Sequence, residues 1–238
     1  MISPNDWDGP EDRVCPCWSR RRFLRATVIG GVTLGAEFAG AGGVAAQSTL
    51  GPEAAVQMLL DGNRRFTEGR LTSFDEDLAL LKQKTAEKQE PFAAVLSCAD
   101  SRVPVELVFD QSIGHVFVAR VAGNIATSEL IASLEYGAAV LGTKAIMVLG
   151  HGNCGAVKAT IEGKPVPGQI SALYRYIRPA VDQAAGSGVD AVSKANAKIQ
   201  ATLLRQSSPV LAGLVGKEQL KVVAAFYDVA SGKVELLD

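Results

Sequence analysis

The sequence has no excess of one charge. Its 238 residues carry 24 Lys and Arg against 25 Asp and Glu. No basic stripe departs from that balance, which removes the electrostatic case for a nucleic-acid-binding protein. Cysteine is sparse: the 4 present lie at 15, 17, 98 and 154, not in the even framework of a disulfide-stapled scaffold. The C-x-x-C spacing of a redox dithiol is missing as well. There is no internal repeat and no low-complexity tail. Histidine occurs twice, as His115 and His151. What is present is length enough for one domain with a sizeable core and an ordinary apolar content of 47%, so long disordered stretches are not expected.

The first 46 residues read as a targeting segment. Ser19-Arg20-Arg21-Arg22-Phe23-Leu24-Arg25 resembles a twin-arginine export signal. A Gly- and Ala-rich apolar stretch, Ala26 to Ala46, follows. It closes on Val44-Ala45-Ala46-Gln47, a small-residue pattern suited to cleavage after Ala46. The alternative is a membrane anchor, since the stretch has about the length of a spanning helix. Glu37, the many glycines and the cleavage pattern favour removal. The expectation is a mature domain over residues 47–238, delivered by the twin-arginine machinery to the periplasm. Without cleavage the same domain would be tethered to the membrane. Cys15 and Cys17 leave with the signal, so Cys98 and Cys154 are the cysteines of the mature chain.

Two short stretches carry the chemistry. Cys98-Ala99-Asp100-Ser101-Arg102 follows the apolar run Phe92 to Leu96, and His151-Gly152-Asn153-Cys154 follows Ala145 to Leu149. Both runs read as buried strands. Two thiols and one imidazole at strand ends form a Cys2His set, which binds zinc and leaves a fourth position for water or substrate. A disulfide or a pair of inert buried thiols is the structural alternative. Asp100 has two possible roles. It closes the zinc site as a fourth ligand, or it pairs with Arg102 and faces the reacting water. The planar guanidinium of Arg102 suits the second role, because it binds a carboxylate through two parallel hydrogen bonds.

In this order and spacing, C-x-D-x-R and H-x-x-C resemble a β-class carbonic anhydrase. The resemblance extends to Arg120-Val121-Ala122-Gly123-Asn124 and Leu134-Glu135-Tyr136, and covers residues 52 to 238. It implies one zinc ion per chain on Cys98, His151 and Cys154, with Asp100 and Arg102 as the catalytic pair. The implied reaction is reversible hydration of carbon dioxide to bicarbonate through zinc-bound hydroxide. It places Gln89, Phe117, Ala122, Tyr136 and Gly155 at the substrate pocket, where Gly155 offers a backbone amide without a side chain in the way. It also implies a homodimer or a dimer of dimers, with the site near the subunit interface. A second subgroup binds inhibitory bicarbonate beside a tryptophan just before the first cysteine. Here that neighbourhood is Ala94-Val95-Leu96, which argues against such regulation. Arg120 matches that subgroup but has a structural reading too. His115 is able to relay protons but reads as an idle surface histidine. Rival functions are a zinc hydrolase of a carbon dioxide relative (carbonyl sulfide or carbon disulfide), or a non-catalytic zinc- or bicarbonate-binding module.

The remaining pattern predicts an α/β fold with a mostly parallel central β-sheet flanked by helices. Helices are expected from Pro52 to Phe66, Asp75 to Lys88, Thr127 to Leu141, Cys154 to Ile161, Ile170 to Val181 and Ala191 to Leu204. Another starts at Ser208-Pro209, which reads as an N-cap followed by Pro at the first helical position. The segment Val105 to Phe109 and a turn at Gly114 precede a strand at Val116 to Arg120. Leu220 to Val229 and Lys233 to Leu237 read as a hairpin turning at Ser231-Gly232. Ligands of open α/β sheets sit beyond the carboxyl ends of the strands, which is where Cys98 and His151 fall.

Overall fold

A computed structural model describes residues 50–73, 75 and 78–237. The targeting segment read in residues 1–46 lies outside the described residues. Five strands form one sheet: β1 (Ala93–Ser97), β2 (Val116–Arg120), β3 (Ala145–His151), β4 (Lys221–Tyr227) and β5 (Val234–Leu236). Their order is β2-β1-β3-β4-β5. The first four run parallel, and β5 turns back antiparallel on β4. Every residue of β1 and β3 is buried. That is the mark of a parallel strand covered on both faces, and it explains why both read as continuous apolar runs.

The side-chain alternation of a strand sorts β1 and β3 between two cores. Val95, Met147 and Leu149 point into one, with Leu59, Phe92, Phe109 and Tyr227. Ala94, Leu96, Ile146 and Val148 point into the other, with Leu134, Ala197, Leu204 and Leu211. The first is covered by α1 (Pro52–Thr67) and the short α3 (Val105–Val108). The second is covered by α4 (Ser128–Ala139), α7 (Val189–Ser207) and α8 (Pro209–Gly216). Between β3 and α7 the chain forms α5 (Gly155–Glu162), a 3₁₀ turn at Ile170–Leu173 and α6 (Tyr174–Gln183). Ile177, Ala180 and Val157 there build a third apolar cluster around Cys98 and Cys154.

Local chemistry fixes how these elements meet. In α1, Pro lies in the first turn, and Ala55, Val56 and Leu59 face inward. Buried Asn63 on the same helix donates to the carbonyls of Val108 and Gly232 and accepts from the Val234 amide. One side chain thus ties α1 to α3 and to the β4–β5 hairpin. Ser208 caps α8 by accepting the Leu211 amide at 3.0 Å, while its hydroxyl donates to Glu135 at 2.5 Å. At Gly150 in β3, a Cβ would stand 2.9 Å from the Ser193 carbonyl oxygen. Its lack of a side chain lets α7 lie against the end of the strand.

The structure redraws two of the expected elements. The helix expected from Asp75 to Lys88 is α2 (Leu78–Thr85). The expected helix from Ile170 to Val181 begins as the 3₁₀ turn and becomes α-helical at Tyr174.

Candidate metal centre

The register brings the carboxyl ends of three strands together, β1 and β2 level and β3 two residues longer. Ser97 stands opposite both Arg120 and Leu149. The chain leaving β1 therefore delivers Cys98 beside the loop after β2 and beside His151 at the end of β3. Cys154 follows one tight turn later, as the residue that caps α5. Its sulfur, the Cys98 sulfur and a ring nitrogen of His151 all lie within 4.8 Å of one another, and all three residues are buried.

The imidazole is oriented by its own turn. His151 Nδ1 lies 3.0 Å from the Gly152 carbonyl oxygen. A carbonyl accepts only, so Nδ1 carries the proton and Nε2 keeps a lone pair. Nε2 is buried and has no hydrogen-bond partner among the described residues. An unsatisfied buried polar atom costs about 1–3 kcal/mol, and a metal ion removes that cost. Two sulfurs and this nitrogen are the donor types that suit zinc. The residues present fit the ion that the sequence predicts.

The two thiols share a proton unequally. A hydrogen bond from Cys154 brings the Cys98 thiol well down from its ordinary value, against the opposing effect of burial and with help from His151 and the Gly123 amide. Cys154 is pushed up, first by donating to Cys98 and then by burial. The Gly123 N–H donates to Cys98 Sγ at 3.2 Å. Gly123 has φ 79°, the left-handed region that favours glycine, and a Cβ there would come within 2.7 Å of Ile177.

Asp100 is not a member of the ligand cluster. Its Oδ1 accepts from Arg102 Nε at 2.9 Å and its Oδ2 from Arg102 Nη2 at 2.8 Å, while the Arg102 amide also donates to Oδ1. Arg102 thereby holds this carboxyl well below the usual carboxylate range. Asp100 Oδ2 lies 3.9 Å from His151 Nε2, so the ionised group borders the ligands without joining them. Of its two expected roles, the geometry is that of the pair with Arg102. Arg120 staples the same loop from outside, donating to the Cys98 carbonyl at 3.0 Å and the Asp100 carbonyl at 2.7 Å. That is the structural reading of Arg120.

The expected pocket residues divide. Ala122 is next to Gly123, and Gly155 opens α5 beside Cys154 with open space where a Cβ would be. Gln89, Phe117 and Tyr136 lie elsewhere in the chain. Gln89 is exposed ahead of β1, whereas Cys98 follows it. The whole of β1 lies between the two in the chain. Phe117 stands opposite Ala94, near the amino end of β1, and packs on the half-exposed Tyr136 with ring centroids 6.5 Å apart. His115 also belongs to that end, where its carbonyl accepts the Phe92 amide.

Sequence reasoning missed the supports behind the site. Asn196 donates to the Gly123 carbonyl at 2.8 Å, and Gln200 accepts the Ala126 amide at 2.9 Å. Both are buried side chains of α7. Asp190, in the first turn of α7, accepts the Asn153 amide at 2.8 Å. A signal existed for two of them: Asn196 and Gln200, like Ser193, interrupt the inner face marked by Val192, Ala197, Ala201 and Leu204.

Comparison with known proteins agrees with this geometry. Residues 93–234 match the family model described as carbonic anhydrase. A carbonic anhydrase of Mycolicibacterium smegmatis is 35% identical over 193 residues, covering 78% of this chain and 93% of that protein. Carbonic anhydrase 2 of Mycobacterium tuberculosis is 33% identical over 199 residues, covering 79% and 93%. Among solved structures, the β-carbonic anhydrase of Coccomyxa in complex with acetazolamide superposes with a TM-score of 0.60 at 27% identity, over 75% of this chain and 84% of that one. A tetrameric β-carbonic anhydrase of Sordaria macrospora shares the fold, with a TM-score of 0.63 at 21% identity over 77% and 97%. With the matched model spanning more than half of the chain, and both strand-end motifs folded into one ligand cluster, this protein belongs to the β-class carbonic anhydrase family.

Proposed function

We propose that this chain catalyses the reversible hydration of carbon dioxide to bicarbonate and a proton, with one zinc ion per chain on Cys98, His151 and Cys154. The observation that carries the reading is the partnerless, buried His151 Nε2 facing two sulfurs, with an ionised Asp100 at its border. Three protein ligands are the number found in catalytic rather than structural zinc sites. When bound, zinc supplies a Lewis acid that lowers the pKa of water at its open position toward about 7. The protein supplies the rest. An ionised carboxylate only accepts, so Asp100 takes the O–H of the reacting group and turns the oxygen lone pair toward the incoming carbon. Arg102 keeps that carboxylate charged and correctly turned. The Gly123 amide stabilises negative charge on the Cys98 sulfur. Gly155 leaves room for the departing bicarbonate beside Cys154.

Gln89, Phe117 and Tyr136 act, on this reading, in the site of a second copy. Their placement away from their own Cys98 is what an interface pocket in a homodimer or dimer of dimers requires. The export reading is part of the same proposal. Arg20-Arg21 and the Ala46 cleavage pattern support delivery through the twin-arginine machinery to the periplasm, with membrane tethering if the segment is retained. Among the described residues no helix is long and apolar enough to cross a membrane.

The test is stopped-flow hydration of carbon dioxide by the purified chain, with bound zinc quantified in the same sample, from mildly acidic to alkaline pH. The expected result is about one zinc per chain and turnover that rises with pH. A zinc-loaded chain without turnover at any pH would overturn the hydration reading.

A further inference from the structure

The turn that carries two of the ligands is held from outside at three of its backbone atoms. Gly152 donates its amide to the Tyr227 carbonyl at 2.9 Å. Asn153 donates its amide to Asp190 Oδ1 at 2.8 Å, and its carbonyl accepts Arg102 Nη2 at 3.1 Å. Asn153 itself has φ 51°. Asparagine is one of the few non-glycine residues that readily take that left-handed region, and the external bonds fix the turn around it. The same Arg102 nitrogen grips Asp100 Oδ2. One path of hydrogen bonds therefore runs from Asp190 through the Asn153 backbone to Arg102 and on to Asp100.

We propose that Asp190 is a positioning residue, which through the Asn153 backbone sets where Arg102 and the Asp100 carboxylate stand relative to His151. Two features make it an effective anchor. Its acceptor is a carboxylate, and hydrogen bonds to ionised groups are roughly twice as strong as neutral ones. Its carrier, α7, is itself tied to the site at two further places: the close approach of Ser193 to Gly150, and the bond from Asn196 to Gly123. Arg102 needs such a reference point. Its side chain is 43% exposed, and a long exposed side chain gives up about 2 kcal/mol of rotamer entropy when held in one geometry. Among the described residues, the Asn153 carbonyl is the acceptor that its guanidinium finds outside its own loop. Among the described residues Asp190 makes no hydrogen bond to a ligand side chain; the peptide it holds also carries the Gly152 carbonyl that faces His151 Nδ1, so zinc retention is read beside Arg102.

The consequence for turnover rests on the hydration reading; the consequence for Arg102 does not. The experiment follows solvent exchange of the Arg102 Nε–H by NMR in the zinc-loaded, ¹⁵N-labelled full chain, with zinc retention against a chelator and carbon dioxide hydration measured on the same samples. Asp190→Ala is expected to speed that exchange about tenfold, the equivalent of one modest hydrogen bond, and to lower turnover about tenfold. Zinc retention stays as in the wild type. Asp190→Asn keeps an oxygen that accepts the Asn153 amide and restores both readouts. Asn153→Gly keeps the backbone and its left-handed φ, and is expected to leave the exchange slow. Unchanged exchange in Asp190→Ala overturns the proposal, as does loss of zinc there, which would mark a merely structural role. Fast exchange in Asn153→Gly also overturns it, by shifting the coupling to the asparagine side chain. A wild-type chain that exchanges as expected but never turns over carbon dioxide overturns the hydration reading and leaves Asp190 to be judged on exchange alone.

Discussion

His151 combines full burial, a fixed proton on Nδ1 and a free lone pair on Nε2. His151→Ala removes one of three ligands, and bound zinc and turnover are each expected to fall by about a hundredfold or more, measured by metal analysis beside hydration rate. Asp100→Ala leaves the ligands intact. Zinc content should stay near that of the wild type while turnover falls by about 10²-fold or more, the scale of a lost proton-handling group. Equal rates would remove Asp100 from the mechanism. These residues were legible in the sequence because each ligand type has few other reasons to stand at a strand end. Asp110 was not legible. It has φ 47° and its side chain is fully buried, yet nothing in the preceding Val105 to Phe109 marks it out. Burial raises its pKa, but Arg65 at 2.5 Å, Ser73 and Thr72 outweigh burial and hold the carboxyl below its usual range. A depressed folded-state pKa contributes stability above the unfolded value of about 3.9. That contribution is lost as pH falls through the folded value. Asp110→Asn suits the left-handed backbone and isolates the charge. At neutral pH it should lose about 3 kcal/mol, the scale of breaking a buried ion pair. Its melting temperature should also change less than that of the wild type between about pH 5 and pH 3.

Among the elements, α8 shows local chemistry that a sequence displays openly. Ser208 before Pro209 signals the cap, and the structure forms it. Ser208→Ala loses both the Leu211 amide and the Glu135 partner, and should cost about 1–2 kcal/mol in denaturant unfolding. An unchanged midpoint would show that water replaces the cap. The strands were read to within two residues of their ends because fully buried parallel strands are uninterrupted apolar runs. Val105 to Phe109 offered no such run, because Glu106 interrupts it, and the structure forms a single helical turn there. The role of α7 was hidden for a different reason. Its length and apolar spacing were visible, but nothing in a linear pattern says that Asp190, Asn196 and Gln200 reach loops 37, 73 and 74 positions away in the chain. Those bonds exist only once β3 and the loop after β2 lie side by side.

For the whole molecule, the split of the pocket residues predicts complementation between damaged copies. A chain lacking Asp100 and a chain carrying Gln89→Ala, each impaired alone, recover activity when coexpressed if Gln89 serves the partner's site. A random mixture of two-fold dimers then holds about a quarter of its sites intact, and hydration rate normalised to zinc should recover to about that share. Additive residual rates would place Gln89 in its own chain's site or in neither. The sheet at the centre of each copy has a second consequence, for what happens when the fold is lost. From Ala93 to Ser97 and from Ala145 to Leu149 there is no charged side chain and no proline. In the native sheet these strands are neighbours, sealed on both faces. In an unfolded chain they are two uncharged β-forming segments of the kind that pair between molecules and aggregate. Parallel pairing between distant segments also forms slowly, which prolongs their exposure. The strands that hold the metal ligands together in the native state are therefore the segments most prone to drive precipitation whenever the chain is denatured and returned to water.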